Sequence, residues 1–295
     1  MPLSLKYTLA FLVAILALVV ISWGSEKPPA KRRATDEADA QLLSLWEASS
    51  RNQADTSLGR RVVEELVARL EKAGEIEAHV PHLQGMKDLL APDGLLRVLS
   101  WQHEMGDRSY LYMGVVAYRA GRRGELRVVA LEDRQLPVGD GNIKPEWERM
   151  SFGPAEWLGA GYYDIQDFSY ADGQNYLLLG IAGGSPFVQR RVVETLEVRP
   201  DGTLRFGVPA IRDLRSRRCR LLFSYNARVA MTVHLLDNRR VVLLDHLSPA
   251  SGQYRGMPQF YGPDFSQDAL RLLSSGEWRL EKDVVVEAPR DGAHR

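Results

Sequence analysis

"PDGLLRVLSW", Pro92–Trp101, is where the chain changes character. Before it, apolar residues recur at helical steps. From it onward, short runs rich in Val, Leu, Tyr and Phe alternate with Gly, Pro, Asp and Asn. Pro and Asp open a turn, Gly supplies a positive φ, and an apolar strand follows. "PDGTLR", Pro200–Arg205, repeats the device, and "ADGQNYLLL", from Ala171, is a looser third copy. The Asp-Gly turns begin at Asp93, Asp172 and Asp201, too unevenly for the roughly 40 to 50 residues of a propeller blade. The expectation is a mainly β domain over 91–288, an antiparallel β-sandwich or strongly curved sheet packed on N-terminal helices, with an irregular β-propeller-like arrangement as the alternative.

Eleven strands are expected: Leu95–Trp101, Tyr110–Arg119, Glu125–Leu131, Gly161–Phe168, Tyr176–Ile181, Val192–Val198, Leu204–Phe206, Arg220–Tyr225, Arg228–Leu235, Arg240–Asp245 and Trp278–Glu287. The tight turns between several of them, such as "SYNARV" and "LDNRRV", favour antiparallel pairing, because parallel strands need long crossovers. Residues 36–90 read as a helical segment. Leu42, Leu45 and Trp46, then Leu58, Val62, Val63, Leu66, Val67 and Leu70, fall at three- and four-residue steps. Thr35 or Asp36 suits the first cap, Ser57 the second, and Gly74 the second helix's end.

The chain opens with Lys6, the apolar run "LAFLVAILALVVI" (Leu9–Ile21) and small residues at Ser22 and Gly24. This is the pattern of a signal peptide over 1–24, cleaved after Gly24. The competing reading is an uncleaved anchor through residues 7–23, at the short end of what spans a bilayer. Lys27, Lys31, Arg32 and Arg33 follow the segment, so a retained anchor would leave the main domain in the cytoplasm, and export is favoured. A polar linker is expected over 25–35 and a disordered tail over 289–295.

Composition narrows the chemistry. The 295 residues are 45% apolar and 26% charged with zero formal net charge, so no global field points to nucleic acid. The single cysteine, Cys219, excludes an intramolecular disulfide; set among arginines it suggests either a reactive thiolate or, more simply, a small buried residue. His79 and His82 in "HVPHL" are poor ligand candidates because Pro81 breaks a helix that would align them. The arginines of "RDLRSRRCR" (Arg212–Arg220) suit an anion, or a solvated loop compensated by Asp213. No nucleophile elbow, zincin, Walker or dinucleotide motif occurs. Ser185, His246 and Asp245 can be assembled into a triad only on paper. No cofactor or metal is expected.

In order, "PDGLLRVLSWQHEMGD", "WLGAGYYDI", "YLLLGIAGG", "LLDHLSP" and "MPQFYGPDFSQDAL" resemble an uncharacterised family of exported proteins widespread in the Bacteroidota, over about Pro92 to Glu287. The resemblance implies a secreted or periplasmic β-rich domain and carries no activity with it.

The residues themselves favour a non-catalytic binding or interaction module of the cell envelope, its partner an envelope protein or glycan. Asp245, His246, Tyr254, Phe260, Tyr261 and Asp264 are the expected contact face, since aromatic rings cover apolar surface while carboxylates fix polar groups. The alternative is an envelope hydrolase using Asp245, Asp264 or Asp268 as acid, base or ligand. "QFYGPDFSQDALR" (Gln259–Arg271) reads as a corner: Gly262 and Pro263 turn the chain, Asp264 or Ser266 caps a helical turn that brings Asp264 and Asp268 to one face, and Phe265 and Leu270 anchor it.

Overall fold

The computed structural model describes residues 30–52, 55–105, 110–135, 144–171, 173–214 and 216–284, with the backbone alone for 30–35 and 145. The expected leader, most of the linker and the tail lie outside these residues. Among the described helices none is long and apolar enough to cross a membrane. Residues up to Gln41 group apart from Leu42 onward, and the architecture below is that of the larger unit.

Helix α1 (Ala30–Arg51) begins inside the expected linker, which leaves Thr35 and Asp36 within it rather than at its cap. Helix α2 (Thr56–Ala73) is capped by Asp55, whose carboxylate accepts the Ser57 N–H, and not by the Ser57 side chain. It ends as expected at Gly74, left-handed at φ +70, whose N–H reaches the Leu70 carbonyl. The helical segment stops there. Residues 87–90 are a strand instead.

Three antiparallel sheets follow, one of them completed by a single parallel pair, and none closes into a barrel among the described residues. The first is a meander of β1 (Lys87–Leu90), β2 (Leu96–Glu104), β3 (Tyr110–Arg119) and β4 (Leu126–Glu132). The second contains β5 (Gly161–Tyr170), β6 (Gly173–Gly184), β7 (Val188–Val198) and β11 (Arg220–Asn226) in the order β11-β7-β6-β5, with β8 (Leu204–Phe206) beside β7. The third runs β10 (Arg217–Arg218), β9 (Ile211–Arg212), β15 (Trp278–Glu281), β14 (Tyr261–Leu272), β13 (Val241–Pro249), β12 (Val233–Leu235).

Strand alternation explains how they stack. On β2 and β3, Leu96, Val98, Tyr112, Val116 and Tyr118 join one core, while Leu99, Trp101, Met113, Val115 and Ala117 join another with Leu42, Val62, Leu66 and Leu70 of the helices. On β6, Tyr176 and Leu178 meet the first sheet's core and Leu177 and Leu179 meet the third sheet's. That is why "NYLLLGIA" is apolar without interruption: a strand covered on both faces has no solvent side to make polar. The layers are therefore helices, first sheet, second sheet, third sheet. The sandwich expectation is met in a three-sheet form, and face-to-face stacking replaces the radial arrangement of the propeller alternative.

β14 corrects the sequence reading. "SQDALRLL" is rich in helix formers, yet it is a strand, because Gln267–Arg271 pair with Val241–Asp245 of β13 and Ala269–Leu272 with Trp278–Glu281 of β15. Gly276, at φ +83 in the β14–β15 turn, is one position where only glycine fits: a Cβ would overlap the Ser169 carbonyl oxygen of β5.

Candidate functional site

The inward rows of β13, β14 and β15 begin apolar and end polar at the same level. Val242 and Leu244 lead to His246, Leu270 leads back to Asp268, and Leu280 leads to Lys282. Leu244 is in register with Asp268, and Leu270 with Leu280. Here the second and third sheets splay around a cleft of about 980 Å³ whose apolar walls include Leu221, Phe223, Leu247 and Leu280.

His246 Nδ1 lies 3.0 Å from Asp268 Oδ2, and the other Asp268 oxygen accepts the Asp283 N–H at 3.0 Å. Asp268 is buried, at 5% exposure, while His246 is half-buried and Asp283 open to solvent. One donor atom each of His246, Asp268 and Asp283 lies within 4.8 Å of the others. At the rim, Glu148 pairs with Arg218 at 2.6 Å and accepts the Leu222 N–H; burial raises its carboxyl despite those two interactions.

The expected contact residues divide. Asp245 carries a structural hydrogen bond, its carboxylate accepting the Thr232 N–H at 2.7 Å. Tyr261 packs on the core between the second and third sheets and its hydroxyl accepts the Gly256 N–H, so it anchors the corner. Tyr254 and Phe260 stack with centroids 4.2 Å apart, and Phe260 remains exposed. Asp264 is exposed and accepts from the Ser248 hydroxyl at 2.5 Å and from the Ser266 hydroxyl and N–H, which hold its carboxyl down at about 2.

Phe265 overturns the expected anchor. Between the pairs Asp245↔Gln267 and Leu247↔Pro263, β13 spends only His246 where β14 spends Asp264, Phe265 and Ser266. This bulge throws Phe265 outward at 101% exposure and φ +73. Sequence offered a hint in "GPDF", a breaker followed by an Asx-turn residue, but nothing that set the direction of the ring.

The other sequence candidates are absorbed by structure. Ser185 Oγ accepts the Phe187 and Val188 N–H groups in the β6–β7 turn. Cys219 is buried, its thiol pushed up by that burial and directed at the Arg149 carbonyl. The described arginines of the run do not stand ready for an anion, Arg215 lying outside the described residues: Arg212 and Arg217 pair with Glu277, Arg218 with Glu148 and Asp213, and Arg220 with Glu194. Asp213 compensates the run, as the solvated-loop reading expects. No family model, no curated protein and no solved structure matches the chain.

Proposed function

We propose that the protein is an exported cell-envelope interaction module that docks a partner protein through the apolar corner of Tyr254, Met257, Phe260 and Phe265. The carrying observation is Phe265. A bulky side chain at positive φ costs on the order of 1 kcal/mol or more, and this one makes up none of it by packing, since it is wholly exposed. Met257 and Phe260 are further exposed apolar residues, in the segment that links β13 to β14. A protruding ring suits insertion into a partner's pocket better than the flat stacking a glycan needs, which favours the protein partner over the sugar. The leader pattern of Leu9–Ile21 supports the envelope placement.

The hydrolase reading is weakened at Asp264. A carboxyl held at about 2 is ionised at any working pH and is a poor general acid or base. The test is capture of partners from native envelope by tagged protein, with Phe260→Ser and Phe265→Ser in parallel. A specific partner lost in both variants, at unchanged melting temperature, supports the reading; equal capture by all three removes it.

A further inference from the structure

We propose that His246, Asp268 and Asp283 form a binding site for a divalent transition-metal ion such as Zn2+ or Mn2+. This goes beyond the docking corner and does not depend on it. Metal–nitrogen and metal–oxygen bonds of about 2.0–2.2 Å set neighbouring ligands about 3.0–3.6 Å apart. The His246 nitrogen and Asp268 oxygen already stand at 3.0 Å, and the third donor completes a set within 4.8 Å. Asp283, exposed, needs only a side-chain rotation to close it.

The donor chemistry selects the ion. One imidazole nitrogen and two carboxylate oxygens suit a borderline divalent cation; Ca2+ prefers an all-oxygen shell of six to eight ligands, and Cu(I) prefers sulfur. Two carboxylates beside a neutral imidazole carry two negative charges, which one such ion balances. The ligating nitrogen must be unprotonated, so any proton it shares with Asp268 moves to the other ring nitrogen or to solvent as the ion enters. Asp283 is held at φ +53 with its N–H on Asp268, so a single hydrogen bond ties two of the ligands together. The adjoining cleft of about 980 Å³ leaves the remaining coordination positions open to water or to a ligand. Lys282 lines the same cleft and could compete there; Arg212, Arg218 and Arg279 line it too, paired with Glu277, with Glu148 and Asp213, and with Glu281 respectively.

The experiment is calorimetric titration of the full chain, first treated with EDTA, using Zn2+ and Mn2+ separately, with thermal melting in parallel. One saturable equivalent of at least one ion is expected, weakened at least tenfold in His246→Ala and in Asp283→Asn, with the melting temperature rising on ion addition in wild type only. Asp283→Asn is the decisive variant. It sits on the surface, Asn tolerates positive φ, and its melting temperature in EDTA shows whether the fold is intact. His79→Ala, a surface histidine elsewhere, controls for adventitious binding. Absence of saturable binding up to millimolar ion overturns the proposal. So does binding that survives unchanged in His246→Ala and Asp283→Asn.

Discussion

An acid–base pair lies on each side of the second sheet, one on that sheet itself and one on the third sheet, and the two are built in opposite ways. On the side facing the first sheet, Arg220 and Glu194 are sealed at 0% and 1% exposure, 2.5 Å apart. Every neighbour is committed to them. Tyr162 donates to Glu194 at 2.5 Å and accepts from Trp157, while Arg220 reaches the Trp147, Met150 and Phe206 carbonyls and lies over the Phe152 ring. On the side facing the third sheet, His246 and Asp268 stand at a cleft mouth with an exposed aspartate beside them. A sealed pair with its hydrogen bonds filled specifies how layers pack. A pair left at an opening keeps lone pairs available, and that is where function is to be sought.

The largest effect that sharpens this contrast is expected at the sealed pair. Arg220→Ala leaves the Glu194 carboxylate uncompensated in the interior and should cost about 3–5 kcal/mol in denaturant unfolding. Replacing both residues with apolar ones of similar volume should return much of that loss. If Arg220→Ala instead costs no more than a surface change, the sealed pair is not structural and the contrast collapses.

Asp133 is an intermediate case, at the end of β4. Burial lifts its carboxyl to about 6, against hydrogen bonds from the Tyr112 and Gln135 N–H groups that work the other way. The folded state therefore holds a proton that the unfolded chain releases near its ordinary value of 3.8. This contribution is fully present below about pH 4 and is lost as pH rises to about 6, a change of about 2–3 kcal/mol. Unfolding followed across that window should show the slope, and Asp133→Asn should flatten it.

At the open pair, His246→Ala should cost only about 1 kcal/mol, since the Asp268 carboxylate keeps the Asp283 N–H and can reach water in the cleft. A loss as large as that of Arg220→Ala would make His246 a structural residue and equate the two pairs. The smallest effect is expected at the corner: Phe265→Asn should stabilise by less than about 1 kcal/mol, because Asn is at ease where Phe is strained. A clear destabilisation would mean that the ring has a role in folding.

Much of the sheet architecture was legible in the sequence, and the candidate site was legible only in fragments. β3 and β8 have the expected bounds, and the two-sided burial of β6 follows from its unbroken apolar run. The strand expected over Arg228–Leu235 shrinks to Val233–Leu235, because the chain from Asn226 turns, with the Val229 N–H on the Asn226 carbonyl. The strand expected to reach Glu287 stops at Glu281 in the described residues. β14 was the costly miss. Its local preference is helical, and only pairing with strands on both sides overrides it. His246 and Asp268 stand near each other through that pairing alone. Asp283 joins them only because the chain beyond β15 folds back so that its N–H meets Asp268. Spacing along the chain encodes none of these approaches.

The parallel pairing of two strands, β9 and β15, has a kinetic consequence. β9 meets β15 through Ile211↔Trp278 and Arg212↔Arg279, whereas β5, β6 and β7 are joined by short hairpins. Closing the long loop from Ile211 to Trp278 gives up chain entropy before any contact repays it. The central meander can assemble early on local contacts, and the third sheet is completed last. An interrupted or truncated chain would then present the second sheet's apolar face, Leu177, Leu179 and Val193, to its surroundings, making this surface the one most exposed to self-association during synthesis.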